Sequence, residues 1–176
     1  MSHIRALSAS ALLGLLPAVF TPAQAHPLAY PDTGVAGDHF QTALNVSHGC
    51  DGSPTVAITL KVPPSVILIK PQWKAGWALT IKKGKLETPR AGLHGKSITE
   101  RVEEITWRGG PLPNEAYDTF GLQLVLPDTP GETLWLPIIQ ECQKGAHRWL
   151  DIPGPGQAWR GMHAPPPFVK IVPKAP

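Results

Sequence analysis

The sequence predicts an all-β fold, an antiparallel β-sandwich, on three observations. No window of the 176 residues sustains an apolar helical face over three turns. Short stretches instead alternate with period two or gather β-branched residues. Turn formers are dense, with 21 prolines and 17 glycines, and they cut the chain into pieces of strand length, the pattern of a sandwich.

Residues 1–25 come first and are set apart from the fold. Arg5 gives a short basic start, Ala6 to Phe20 is apolar apart from Ser8, Ser10, Gly14 and Pro17, and Ala23-Gln24-Ala25 is a small-x-small cleavage site. The run is shorter than the roughly 20 apolar residues that span a bilayer. It predicts a signal peptide cleaved after Ala25, an exported protein that is periplasmic or extracellular, and a mature chain that starts at His26. No later stretch is apolar enough to span, so no membrane insertion is expected after cleavage. Roughly 150 residues remain, enough for one domain with its own core.

The expected strands follow in order: Phe40 to Val46, Thr55 to Val62, Val66 to Lys70, Trp77 to Lys82, Glu103 to Trp107, Phe120 to Leu126, Thr133 to Gln140 and Arg148 to Ile152. Turn chemistry divides them at Asp51-Gly52, Pro63-Pro64, Gly109-Gly110, Pro113-Asn114 and Pro130-Gly131. The domain is therefore placed at 26–153. The segment 154–176, rich in proline and glycine, reads as an extended tail whose Phe168 to Val172 docks as a last edge strand.

The formal net charge of +3 is mild and its lysines are scattered, which speaks against nucleic acid as a partner. Lys82-Lys83-Gly84-Lys85 is the one basic cluster, and it reads as a solvated turn. Cys50 and Cys142 both lie in the exported part, where thiols are oxidised, and are expected to pair. The disulfide would close a loop of roughly 90 residues, worth about 4–5 kcal/mol in the chain-entropy model less any native strain.

Catalytic motifs are absent. None of Ser47, Ser53, Ser65 and Ser97 sits in a GxSxG elbow, no phosphate-cradling glycine loop occurs, and Glu103-Glu104 would point to opposite faces of a strand. Histidine is the exception. A chain that starts with His26 offers an α-amine and an imidazole nitrogen to one metal ion, a chelate that favours Cu(II) over zinc or iron. Pro27 has no N–H, so the amide between residues 26 and 27 cannot become a ligand, while the amine and imidazole stay available. The competing explanation is that cleavage happens to fall before a histidine. His48, in the turn SHGCDGSP, is the second-ligand candidate, whereas His39, His94, His147 and His163 read as ordinary histidines. After cleavage Met162 is the only methionine left, which excludes a methionine-rich Cu(I) site.

The motifs VSHGCDGSPT (46–55), IKPQWKAGW (69–77), EEITWRGGPLP (103–113), YDTFGLQLVLPD (117–128) and TLWLPIIQECQKGAHRWLDIP (133–153), with His26 at the start, run through nearly the whole mature chain. Together they resemble the YcnI-like domain family of bacterial exported copper-binding proteins. The resemblance implies an immunoglobulin-like or cupredoxin-like sandwich. It also implies Cu(II) held by the amine and imidazole of the N-terminal histidine, a carboxylate completing the coordination, and a tryptophan beside the metal. His26 matches the histidine and Trp149 the tryptophan, though from the residues alone Trp149 reads as core packing. The carboxylate does not transfer, because His48 and Gly49 stand where relatives carry an asparagine-glutamate pair. The third ligand is then His48, Asp51 or water.

Three functions follow from these residues. The first is a copper-binding protein of the envelope, without turnover, that acquires or delivers Cu(II), with other copper-handling envelope proteins as partners. The second is a copper oxygenase in which His48 supplies the second histidine such sites require. The third is a metal-free structural or interaction sandwich.

Overall fold

A computed structural model of the chain describes residues 26–92 and 95–175. The expected signal peptide and His94 lie outside the described residues. The described chain is all-β: β1 Leu28–Tyr30, β2 Thr33–Val35, β3 His39–Val46, β4 Thr55–Lys61, β5 Ile69–Pro71, β6 Trp77–Ala91, β7 Ser97–Leu112, β8 Asp118–Val125, β9 Thr133–Trp135, β10 Ile138–Cys142, β11 Ala146–Trp149 and β12 Phe168–Val172. One sheet has the order β1-β3-β8-β5 and a second the order β11-β10-β4-β7-β6, both antiparallel. A small third sheet, β2-β12-β9, is parallel between β2 and β12.

Period-two alternation in the sequence becomes the sandwich core. Leu44 and Val46 of β3 and Phe120, Leu122 and Leu124 of β8 are buried, as are Ile58 and Leu60 of β4, Ile105 and Trp107 of β7 and Ile138 of β10. Phe120 is packed by Trp77, with centroids 5.0 Å apart, and by Trp107 at 5.5 Å. The Trp107 indole N–H donates to the Gln72 carbonyl at 3.0 Å, so burying this large ring leaves no unpaired donor. Trp73, by contrast, is exposed.

Several elements differ from expectation, each for a physical reason. The β6–β7 hairpin runs well past the expected ends, and Lys82-Lys83-Gly84-Lys85 lies on β6, with a register shift between Lys82 and Lys83, rather than in a turn. This cluster is solvated as expected. Beyond Ile81 the edge strand β6 is mostly exposed and pairs only with β7, so no buried face imposes alternation on it. Gly109-Gly110 lies within β7 for the same pairing. The stretch 133–140 splits at Pro137, which has no N–H to keep the ladder going. Leu136 N–H bonds the Pro167 carbonyl, whereas the Pro137 carbonyl accepts from Lys61 N–H, and the chain changes sheet between them. The segment read as an extended tail doubles back, buries Pro165, Pro166 and Pro167, and places β12 in the middle of the small sheet instead of at an edge.

Cys50 and Cys142 are joined, with Cα atoms 5.9 Å apart. The bridge pins the β3–β4 connection onto the end of β10, which is where β10 reaches β4 through a register shift. Replacing both cysteines by alanine should destabilise the domain by about 2–4 kcal/mol. The unfolding free energy extrapolated from urea denaturation measures it, with a raised m-value as the uncrosslinked chain expands, and an unchanged free energy would mean that the crosslink constrains little.

Candidate metal centre

The β3–β4 connection is shaped by its own sequence. Cys50 and Ser53 exchange backbone hydrogen bonds of 3.0 and 2.8 Å around Asp51 (φ 50°) and Gly52 (φ 84°). Positive φ at both central residues is the type I′ geometry that Asp-Gly favours. A Cβ at Gly49 would collide with the Ser53 carbonyl, so only glycine fits before this turn. The Gly49 N–H is in turn fixed by the Asn114 side-chain oxygen at 3.1 Å.

One buried side chain ties this turn to the late strands. Gln140, 1% exposed, donates from Nε2 to the His48 carbonyl at 2.6 Å and to Thr55 Oγ1 at 2.8 Å. Its Oε1 accepts the Trp149 indole N–H at 3.1 Å. Trp149 is thus core, 2% exposed, and its ring is oriented from outside its own strand.

Around that indole three histidines gather. The His26 ring lies 5.6 Å from Trp149 at an interplanar angle of 89°, and 5.6 Å from Trp159, a residue of the loop between β11 and β12. Trp159 is itself held by Phe168, at 5.5 Å, and donates to the Pro166 carbonyl. His147 lies 5.2 Å and His48 6.3 Å from Trp149. Burial holds the His147 imidazole below its ordinary pKa; the Asp51 carboxylate acts against that shift, while His48 and His163 reinforce it. The cluster brings His26, His48, Asp51 and Trp149 to one end of the sandwich. It adds His147, Trp159 and Gln140, which sequence reasoning did not select. The signal for His147 was present: on a strand, residues 147 and 149 share a face, and β11 shows that alternation in its burial.

The His26 ring fits a chelating role. Chelation together with the residue's own amine uses Nδ1, the nitrogen nearer the backbone, and leaves the proton on Nε2. Nε2 is buried with no hydrogen-bond partner among the described residues, so it faces at best a weak N–H···π contact with the indoles. An unpaired buried polar atom costs about 1–3 kcal/mol. A buried ring nitrogen of this kind is one of the few exceptions at which a bound water, an ion or a functional role is looked for.

A family described as a domain of unknown function, DUF1775, matches residues 26–171. Among solved structures, an uncharacterized protein from Nocardia farcinica, described as having an immunoglobulin-like fold, is similar with a TM-score of 0.61 and 19% identity, over 84% of this chain and 98% of that one. That likeness establishes an immunoglobulin-like fold. No curated protein sequence matches.

Gln140→Leu should leave the Trp149 N–H and the His48 carbonyl without their partner and destabilise the domain by about 2–4 kcal/mol, since each unpaired buried group costs about 1–3. Thermal unfolding should show a drop of several degrees, accompanied by a changed tryptophan emission. A variant as stable as the parent would show that the network orders nothing.

Proposed function

The chain belongs to the DUF1775 family, the YcnI-like domain, and on that premise we propose that it is exported, cut after Ala25, and binds Cu(II) through the amine and imidazole of His26 without turning over a substrate. The observation that carries this reading is the His26 ring, packed against two indoles with its Nε2 buried and without a hydrogen-bond partner among the described residues. Nδ1 and the new α-amine belong to one residue, so the chelate needs no second element to assemble it. Two nitrogens in a plane suit Cu(II) best among the common divalent ions.

Trp149 and Trp159 would shield the chelate and restrict the ring's rotation, which lowers the ordering cost of binding. Among the described residues no group of three or more His, Cys, Asp or Glu side chains is arranged to hold an ion. His48, Asp51 or water would complete the coordination. Such a site suits a protein that holds Cu(II) and gives it up to another copper-handling protein of the envelope.

The amine is the part of this proposal that can be isolated. An amide nitrogen has no available lone pair, so acetylating the His26 amine of the mature protein removes the amine donor, introduces no new amine and keeps the imidazole and the fold. Isothermal titration should show Cu(II) binding at least about a hundredfold weaker in the acetylated protein, roughly 2.7 kcal/mol. Electron paramagnetic resonance of the authentic form should report two nitrogens. Both donors bind metal only when deprotonated, so affinity should fall as the pH is lowered. Equal affinities in the two proteins would reduce His26 to an accident of cleavage.

A further inference from the structure

The sheet β1-β3-β8-β5 turns one face to the core and the other outwards, and alternation along each strand decides which residues take which face. Thr42, Leu44, Phe120, Leu122 and Leu124 are buried, so Gln41 and Ala43 of β3 and Gly121 and Gln123 of β8 point outwards. Register sets these residues in two rows across the strands. In the first, Gln41 is paired with Gln123, and Gln123 with Lys70 of β5. In the second, Tyr30 of β1 is paired with Ala43, and Ala43 with Gly121. Gln72 extends this row, because its N–H bonds the Gly121 carbonyl and its side chain lies where a Cβ at Gly121 would collide with it.

The middle of the second row is thus made of the two smallest residues. A hollow of about 420 Å³ opens there, bordered by Gln41, Lys70, Gln72 and Gln123. Alanine and glycine are poor strand formers, and glycine inside a strand marks a place that another group approaches closely. Gln72 uses part of that space, and the hollow is the rest. From the strand of Tyr30 to that of Gln72 the second row spans about 14 Å, three strand spacings, which suits a short chain of rings better than a single one.

The chemistry of the rim selects the occupant. Each glutamine amide offers two N–H donors and a carbonyl acceptor, and among the described residues no side-chain hydrogen bond engages those of Gln41, Gln72 or Gln123. Neighbouring hydroxyls, each donor and acceptor at once, are the complement of such amides. Tyr30, 78% exposed, brings an aromatic ring with a polar tip to the end of the second row, a surface for the C–H face of a pyranose. Lys70 is exposed and has no ion pair among the described residues, and no carboxylate lines the hollow. Its charge is complemented by one anionic group on the ligand. A single cation is too few for a nucleic acid, which is held through many phosphates. A peptide strand would need an open ladder, whereas β3 and β8 beneath the hollow are each paired on both sides.

We propose that this outer face binds a short acidic oligosaccharide. Its hydroxyls meet the amides of Gln41, Gln72 and Gln123, its carboxylate or phosphate meets Lys70, and one ring lies against Tyr30. The site shares no residue with the His26 cluster, so it stands whether or not Cu(II) binds there.

The test applies the mature protein, carrying a C-terminal fluorescent tag, to a printed array that pairs uronic-acid-bearing and phosphate-bearing oligosaccharides with uncharged ones of equal length. Binding should be confined to acidic members and weaken with added salt. With the best-bound member, the side-chain amide resonances of Gln41, Gln72 and Gln123 should shift. Calorimetry should show Gln123→Ala and Tyr30→Ala each weakening binding at least about fivefold, and Lys70→Met at least about tenfold. Lys83→Ala, an exposed lysine on β6 of the other sheet, should change nothing. All four side chains are exposed, so the variants should fold as the parent does. An array on which no acidic saccharide is bound, uncharged chains bound as tightly as acidic ones, or full affinity in Lys70→Met and Gln123→Ala would each overturn the proposal. So would a dimer that Tyr30→Ala dissolves in sedimentation, because a second copy would then cover the face.

Discussion

The architecture of this end of the molecule depends on the side chain of Gln140. A primary amide buried in an apolar core is costly unless every group finds a partner, and Gln140 finds three: the His48 carbonyl, the Thr55 hydroxyl and the Trp149 indole N–H. These partners lie on the β3–β4 connection, on β4 and on β11. One residue on β10 therefore sets the relative positions of three other segments. A leucine of similar volume would pack there, but it would fix neither the direction of the indole nor the height of the turn. The disulfide strengthens the same junction from its other side, since Cys142 follows Gln140 by two residues on the same face of β10 and Cys50 follows His48 by two. Hydrogen bonds direct the groups, and the crosslink limits how far they can separate.

Much of the fold was legible because burial writes period two into a strand. β3, β4, β8 and the core of β7 each have one face against the opposite sheet, and their Leu, Ile, Val and Phe residues show it. β1 and β2 were missed because three-residue strands are too short to display any period. The outer part of the β6–β7 hairpin was missed for a different reason. Its pairing is entirely backbone, and backbone hydrogen bonds leave no mark on the choice of side chains. Asp51-Gly52 announced its turn correctly, because the positive φ values there restrict residue type directly.

The site was legible only in part. His26, His48, Asp51 and Trp149 could be selected, because signal cleavage, turn chemistry and the family motifs point at single positions. Their assembly could not be foreseen, because it depends on long-range closure. Trp159 reaches His26 only because the chain beyond β11 doubles back, buries three consecutive prolines and enters the small sheet as β12. A segment of prolines and glycines has the composition of a free tail whether or not it is docked. What decides the matter is the hydrogen bonding at its ends, where Asp151 N–H bonds the Ala164 carbonyl and Leu136 N–H the Pro167 carbonyl. Local composition contains no trace of either bond.

The arrangement gives the two groups of imidazoles different dependences on the fold. At His26 both proposed donor atoms belong to one residue, so the geometry of a chelate there would be set by covalent bonds, and the fold would add only the indole walls that shield and fix the ring. His48 and His147 come from two elements, and the 6.1 Å spacing of their rings exists only while β10, β11 and the β3–β4 turn remain in register. Loosening the tail should therefore disturb the first position by exposing it, whereas loosening the Gln140 junction should disturb the second by changing a distance. Trp149 packs against both positions, and its one polar atom is already committed to Gln140. The indole therefore serves as a rigid wall that both positions share, with no polar atom left to offer either.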